Sequence, residues 1–502
     1  MLNKSLRLNI TLPIYAFVLT LAFAGFFSML EVDTFHDGIL LKPALDVAKG
    51  KILFKDTFTQ YGALTTFIQT LGIKIFGPYL ISLRLTAALF YAASAVALWK
   101  IWLRFLSLFA TGVTFLIWLL LSPYYILLFH PWSSIYALFF QSLSLIFLLR
   151  FFDTQKKSFL IAAGVGAALT FWCRQPVGVL LFAAIIFFWV FLALIRRQSR
   201  KYVLLYSLLT LFGFILGSLP FFFYLIRYNA ILDWWKQSIV LAFIFGQVKG
   251  GSFSILEIFK SLFLVKPNGP TLLWLLWPLS CVYMAIKAIF KLISDQVDQR
   301  NPIKILAVSF VCFASWLQYY PITDYAHVYW AASPMIGLSI YALKPFYKTK
   351  LKTIILLTVV LLVYHSKFIA RIDTAWYKIH KRKYYRIEQP NALRFMNLVS
   401  SQAVFHTKVV DIVSKYLDDH PDKTYVNLHS HAFYSLIHPN YFRPYIYHNS
   451  VIYPDYRENA VDYIEVSKPL VIEHYEISDF LYNYQLIYID EANDFSILIP
   501  TD

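Results

Sequence analysis

Along the first 370 residues, apolar runs alternate with short polar connections, at 9–30, 78–99, 105–123, 135–152, 158–173, 176–195, 202–224, 269–290, 303–321, 328–344 and 353–370. Runs of roughly 20 residues are long enough to cross a bilayer as helices, so the pattern predicts about eleven spans. Two connections are much longer than the others, 31–77 and 225–268, and both carry too many aromatic and aliphatic residues to read as disordered. In the first, "ILLKPALDVAKGKILF" places Leu41, Ala44, Leu45, Val47 and Ala48 at near-helical spacing with Lys42, Asp46 and Lys49 opposite. This predicts a short helix lying in the membrane interface and stopping at Gly50. "YGALTTFIQTLGIKIFGP", 61–78, predicts a second interfacial helix.

Beyond about residue 371 the apolar density falls. "TYVNLHS", "PLVIEHY", "YQLIYID" and "FSILIP" have the length and residue types of strands, while 391–419 has helical periodicity. The expected fold class is therefore mainly α: a polytopic helical bundle over 1–370, followed by a small α/β domain over 371–502. No internal repeat or low-complexity tract interrupts either part.

Composition agrees with this reading, since 59% of residues are hydrophobic and mean hydropathy is +0.58. The net charge of +17 does not point to nucleic acid, because 34 of the 45 basic residues lie in the apolar part before residue 380, against 12 acids. Placing the N-terminus inside gives the inner connections 19 Lys and Arg against only Asp153, Asp295 and Asp298. The first long loop and the tail then face outward. "AFA" at 22–24 fits a signal-cleavage pattern, but the apolar run continues to Leu30 and reads as an uncleaved anchor. Cys173, Cys281 and Cys312 lie in or beside spans with no paired spacing, which favours neither a disulfide framework nor a metal site.

Five of the twelve acids in the first 380 residues fall between Glu31 and Gly62. Asp33 and Asp37, four apart at the outer end of the first span, would share a helix face. Either could act as a general base or neutralise a metal ion. Alternatively, Asp37 caps the interfacial helix and Asp33 is merely solvated. Arg174, in "FWCRQPVG" at an outer turn, could hold a phosphate through its fork or reach lipid headgroups instead. Arg84 is a weaker phosphate candidate, since it could snorkel outward. Asp324 and His327, in another outer turn, could orient an imidazole for phosphate binding or proton transfer, or simply hydrogen-bond. Trp234, Trp235 and Tyr228 suit a sugar pocket, but interfacial anchoring explains them without any ligand and is the preferred reading. His429 and His431 lack a companion ligand in the sequence and read as surface histidines.

The acidic first outer loop, its amphipathic "ALDVAKG" helix and the following "LFKDTFTQYG" resemble the GT-C superfamily of membrane glycosyltransferases, which includes protein O-mannosyltransferases and the aminoarabinose transferase of lipid A. The matching positions are Asp37, Gly50, Asp56 and Tyr61-Gly62, with Asp37-Gly38 standing where an Asp-Glu or Asp-Asp pair is common. The resemblance implies a multi-pass protein of a bacterial inner membrane that transfers a hexosyl or pentosyl group from a polyprenyl-phosphate donor to an acceptor outside the membrane, an envelope glycan, lipid or protein. It implies catalysis at Asp37 or Asp33, donor-phosphate binding at Arg174, His327 and Arg84, and support from Asp324, Asp56 and Tyr61. Some members use a divalent metal, Mg or Mn, and others need none, so the resemblance leaves metal dependence open. Two other functions fit many spans: a lipid or polysaccharide transporter, and an envelope polysaccharide polymerase or ligase. Scarce ionisable residues within the spans argue against the first, and long loops that are not Arg-rich argue against the second.

Overall fold

The computed structural model describes residues 4–125, 127–196, 200–248, 276–294, 300–317, 325–344, 373–374, 376–438, 441 and 455–501. The helices are α1 (Lys4–Ser28), α2 (His36–Ala48), α3 (Ala63–Phe76), α4 (Leu80–Trp102), α5 (Leu108–Leu120), α6 (Ser133–Thr154), α7 (Ser158–Cys173), α8 (Gln175–Arg196) and α9 (Arg200–Arg227). They continue with α10 (Ile231–Trp235), α11 (Leu241–Val248), α12 (Leu276–Ile293), α13 (Arg300–Leu317), α14 (Tyr325–Ala332), α15 (Met335–Ala342), α16 (Ser400–Asp419) and α17 (Asp455–Ser467).

Among the described residues, six stretches are long and apolar enough to cross a membrane, over Thr11–Ser28, Leu80–Trp102, Ser133–Thr154, Gln175–Ile195, Lys201–Arg227 and Leu276–Ile293. The chain is a multi-pass membrane protein. Two expected spans are cut short by proline. The one at 105–123 ends as α5 at Leu120, just before Pro123, and the one at 328–344 divides into α14 and α15 around Ser333-Pro334. The expected span at 353–370 lies outside the described residues.

The helices pack through small residues. A Cβ on Gly164 of α7 would sit 2.1 Å from the Thr210 carbonyl oxygen of α9, and one on Gly213 would sit 2.1 Å from that of Ile161. Backbones this close are the usual means of tight helix association in lipid. At one end of the bundle Asp153 pairs with both Arg104 and Lys304, which places the α4–α5 connection, the end of α6 and the start of α13 together. The first loop gathers at the opposite end, as alternating spans require.

In the tail, β1 (Tyr384–Arg386) pairs antiparallel with β2 (Asn397–Val399). The strands β3 (Tyr425–Asn427), β4 (Leu470–Glu473), β5 (Tyr484–Asp490) and β6 (Phe495–Pro500) form a sheet of order β3-β4-β6-β5, all at the expected places. The β3–β4 pair is parallel, and the other two are antiparallel. The helix expected over 391–419 begins only at Ser400, because Asn397–Val399 is drawn into strand pairing with β1 and Asn397 also exchanges backbone hydrogen bonds with Met29 and Glu31. Long-range pairing outranks helical periodicity there.

The tail and first loop share one apolar core. Leu40, Leu41, Ala44 and Leu45 of α2 cluster with Leu393, Met396, Phe433, Ile472 and Ile497. Helix α2 forms as expected but does not lie with a wetted face on the membrane. Lys42 and Asp46, read as its polar side, are buried and paired at 2.6 Å because the tail covers them.

Candidate active site

The chain leaves α1 at Ser28 and turns into α2 through Asp33. One Asp33 carboxylate oxygen accepts the backbone N–H groups of Phe35 (2.9 Å) and His36 (3.0 Å), and the other accepts from His36 Nδ1 at 2.7 Å. Asp33, not Asp37, therefore caps the helix, satisfying N–H groups that its first turn leaves open. Its side chain stays 28% exposed. Asp37, one turn on, is fully buried. Its carboxylate accepts from Arg84 Nη2 at 2.6 Å and from the Asp33 backbone N–H at 2.9 Å.

Arg84 on α4 is fully buried and does not reach outward. It donates to the carbonyls of Ser28, Leu30 and Glu31 as well as to Asp37, tying the end of α1 to the head of α2. His130, in the turn before α6, adds the third side. Its Nε2 lies 3.8 Å from Asp33 and its Nδ1 3.5 Å from Asp37. Burial alone would raise the Asp33 carboxyl, but the hydrogen bond and charge of His36, with the charge of His130, outweigh it and hold the group far below the usual carboxylate range. Asp37 is also lowered: burial opposes ionisation, and Arg84 followed by His130 overcomes it.

Trp132 joins this cluster to the other expected residues. Its ring stacks on His130 at 5.4 Å, lies 5.9 Å from His36, and meets His327 of α14 at 5.4 Å. Two residues further, Ser134 accepts from Arg174 at the first turn of α6. Arg174 is the extended residue between α7 and α8, and its charge acts on the nearby Tyr61 hydroxyl. Asp33, Asp37, Arg84, Arg174, Tyr61 and His327 are thus brought to one end of the bundle. Asp56 instead closes its own turn by accepting the Ile52 N–H at 2.8 Å, and Asp324 lies outside the described residues. His36 and His130 are members that sequence reading missed. His36 sits between the two acids, and "FHPW", 129–132, is a polar interruption in an aromatic turn.

The second long loop staples the first. Gln237 accepts from the Thr59 N–H at 3.1 Å and donates to the Phe54 carbonyl at 2.6 Å, while Tyr224 accepts from the Leu53 N–H at 2.8 Å. Trp234 is buried against Trp172 and Phe221, and Trp235 is exposed. Gly62 is held against the end of α7, where its N–H donates to the Cys173 carbonyl at 3.2 Å.

Asp33, His36 and His130 could hold a metal ion, their ligand atoms all lying within 4.8 Å of one another. Two imidazoles and a carboxylate suit zinc better than the oxygen-only sets favoured by Mg or Mn. His429, His474 and Asp494 form a second such group. There, however, both His429 ring nitrogens are engaged by the Asp494 carbonyl and the His431 N–H, and both His474 nitrogens by the Asp494 carboxylate and the Ser430 N–H. This is a closed hydrogen-bond network. His429 is buried, not a surface histidine, and His431 meets Thr34 of the first loop at 2.6 Å.

Gly38 stands where the resemblance would place a second acid. A Cβ there would lie 2.2 Å from the Phe433 nitrogen of the tail, so the tail's close approach excludes any side chain.

Comparison with known proteins agrees with this architecture. The sequence profile of the dolichyl-phosphate-mannose-protein mannosyltransferase family matches residues 62–223. No curated protein matches the chain in sequence. Among solved structures, the chain is similar to ArnT from Cupriavidus metallidurans bound to undecaprenyl phosphate, with a TM-score of 0.59, 11% identity and 97% of each chain covered. It is also similar to the Archaeoglobus fulgidus oligosaccharyltransferase in complex with Zn and sulfate, with a TM-score of 0.53 and 13% identity, covering 91% of this chain and 68% of that one. The chain therefore has the fold of the GT-C membrane glycosyltransferases, and its residues 62–223 carry the sequence pattern of the mannosyltransferase family.

Proposed function

We propose that this chain is a membrane glycosyltransferase that moves a sugar from a polyprenyl-phosphate donor to an acceptor on the outer face of a bacterial inner membrane. The observation that carries this reading is the gathering of Asp33, His36, His130, Arg174 and His327 around Trp132 at one end of a bundle with this fold. An apolar cavity of about 450 Å³ runs beside α8 and α13, lined by Leu180, Ala184, Phe187, Phe191, Phe310 and Ala314. Leu180 is roughly 9 Å along the helix axis from Arg174. A polyprenyl tail seated there would have its phosphate near that guanidinium.

Asp37 is neutralised by Arg84 and sealed from solvent, so the accessible carboxylate, Asp33, takes the catalytic role. In this mechanism the acceptor oxygen or nitrogen attacks the anomeric carbon as the bond from that carbon to the phosphate oxygen breaks. A single displacement inverts the centre. The acceptor proton passes to Asp33, and the departing lipid phosphate is stabilised by Arg174 and His327. A carboxylate held this low is a weak base at rest and takes the proton only once bond formation has acidified the nucleophile. A zinc-like ion on Asp33, His36 and His130 would supply further charge neutralisation for the phosphate. Arg84 then serves as a positioning residue for the head of α2.

The test is to incubate purified protein in nanodiscs with a panel of polyprenyl-phosphate sugars and envelope extract, following release of polyprenyl phosphate. Release with at least one donor is expected. No release across the panel, or consumption of a nucleotide sugar without any lipid carrier, would overturn the reading.

A further inference from the structure

The stretch Trp376–Arg386, "WYKIHKRKYYR", places Lys378, His380, Lys381, Arg382, Lys383 and Arg386 within eleven residues, and the mechanism above uses none of them. Its level relative to the membrane is fixed by α1. Arg382 pairs with the buried Glu31, Lys378 lies 3.8 Å from it, and the Tyr384 hydroxyl donates to it at 3.4 Å. Glu31 is three residues past the end of α1. Its N–H donates to the Asn397 carbonyl at 2.9 Å, and the Asn397 N–H donates to Met29 at the same distance. The strip is therefore held at the height where the first span emerges.

With Lys378 and Arg382 spent on that anchor, Lys381, Lys383 and Arg386 remain exposed. Arg386 rests 5.1 Å over the Phe395 ring, and Glu388, the acid next along the chain, is taken by Arg394 at 3.1 Å. Beside these cations Trp376, Tyr377, Ile379 and Tyr385 are about half exposed, between 48% and 54%. The Trp376 ring stacks on His380 at 3.7 Å. Exposed aromatic and aliphatic side chains suit the headgroup layer, where an amphipathic ring has both an apolar and a wet side. Cations beside them suit phosphate oxygens. Positive charge at this end also runs against the bias of the chain, whose other connections concentrate Lys and Arg at the opposite end.

We propose that Trp376–Arg386 is a docking strip for anionic phospholipid headgroups, with Lys381, Lys383 and Arg386 receiving the phosphates and Trp376, Tyr377 and Ile379 entering the headgroup layer. The strip fixes the tail, and through Glu31 the head of the first loop, against the membrane surface.

The experiment uses the full chain in nanodiscs containing a minority of acyl-brominated phosphatidylglycerol or, in parallel, acyl-brominated phosphatidylcholine. The Trp376 contribution is the difference in fluorescence between the wild type and Trp376→Phe. Quenching of that contribution should be about twofold or more stronger with the anionic lipid, and the preference should vanish in about 1 M salt. It should also vanish in a Lys381→Gln, Lys383→Gln, Arg386→Gln variant whose far-UV spectrum matches wild type. Equal quenching by the two lipids, or no quenching of Trp376 by either, would overturn the proposal; the salt arm needs no variant and stands if the triple substitution fails to fold.

Discussion

At the head of α2, Arg84 donates to Asp37 and to three backbone carbonyls from inside the protein. Asp37→Asn would leave that guanidinium buried without a counter-charge, a change that costs about 3–5 kcal/mol. A lower unfolding temperature and poor yield are expected, measured by thermal unfolding in detergent. Asp33→Asn keeps an oxygen to accept the Phe35 and His36 N–H groups but loses the charge that His36 and His130 stabilise, so its unfolding temperature should fall, but less than that of Asp37→Asn. The two acids were legible as a pair from their spacing, but their division of labour was not. It depends on Arg84, 47 positions from Asp37 in sequence, and on His130 from another turn, and periodicity carries no such information.

The length of α2 and its stop near Gly50 follow from local pattern alone. Its double burial does not, because the surface covering it comes from the tail. Gly38 records that contact. Gly38→Ala would drive a Cβ into the Phe433 backbone, where neither side can yield cheaply, so a loss of about 1–3 kcal/mol is expected. Faster hydrogen exchange over residues 425–437 with little change in α4–α9 would be its signature. The four sheet strands were readable because each is a short β-branched or aromatic run, with β3 and β4 buried along their whole length. The pairing of β2 was not, since Asn397–Val399 has no strand pattern apart from its partners. Burial also explains a pH effect within this element. It pushes His406 down to about 4, and with help from His474 and His431 it pushes His429 down to about 3. Both groups stay neutral when folded and take up a proton near 6.5 when unfolded, so their stabilising effect is complete above about pH 6.5 and is lost as pH falls toward 4. Each contributes about 1.4 kcal/mol per pH unit in that window. Unfolding followed between pH 7 and pH 5 should show the slope, and His406→Leu should make it shallower.

At the scale of the whole molecule, the ion pairs of the bundle among the described residues are sorted to its two ends. Asp153, Arg104 and Lys304 gather at one, and Asp37 with Arg84 at the other. A permeation path would need ionisable groups between them, and an apolar cavity beside α8 and α13 suits a lipid tail instead. Filling it by Ala184→Trp should raise KM for long polyprenyl donors several-fold while leaving kcat for a short-chain donor nearly unchanged, as loss of uniform binding requires. The positions of the long apolar helices could be read from hydropathy because lipid sets their length. Their number could not, since six stretches among the described residues are long and apolar enough, against about eleven expected spans. The meeting of Arg174, His327 and the first loop at Trp132 could not be read either, because helix packing sets it and adjacency in sequence does not.

The central claim is that the solvent-reachable carboxylate at the head of α2 carries the transfer. Its most direct test is the single-turnover rate of polyprenyl-phosphate release by Asp33→Asn, compared with wild type in the same nanodiscs at a temperature where both are folded and bind donor. The account predicts a fall of about 10²- to 10⁴-fold with donor binding retained. A rate within a few-fold of wild type would contradict it and remove Asp33 from the chemistry.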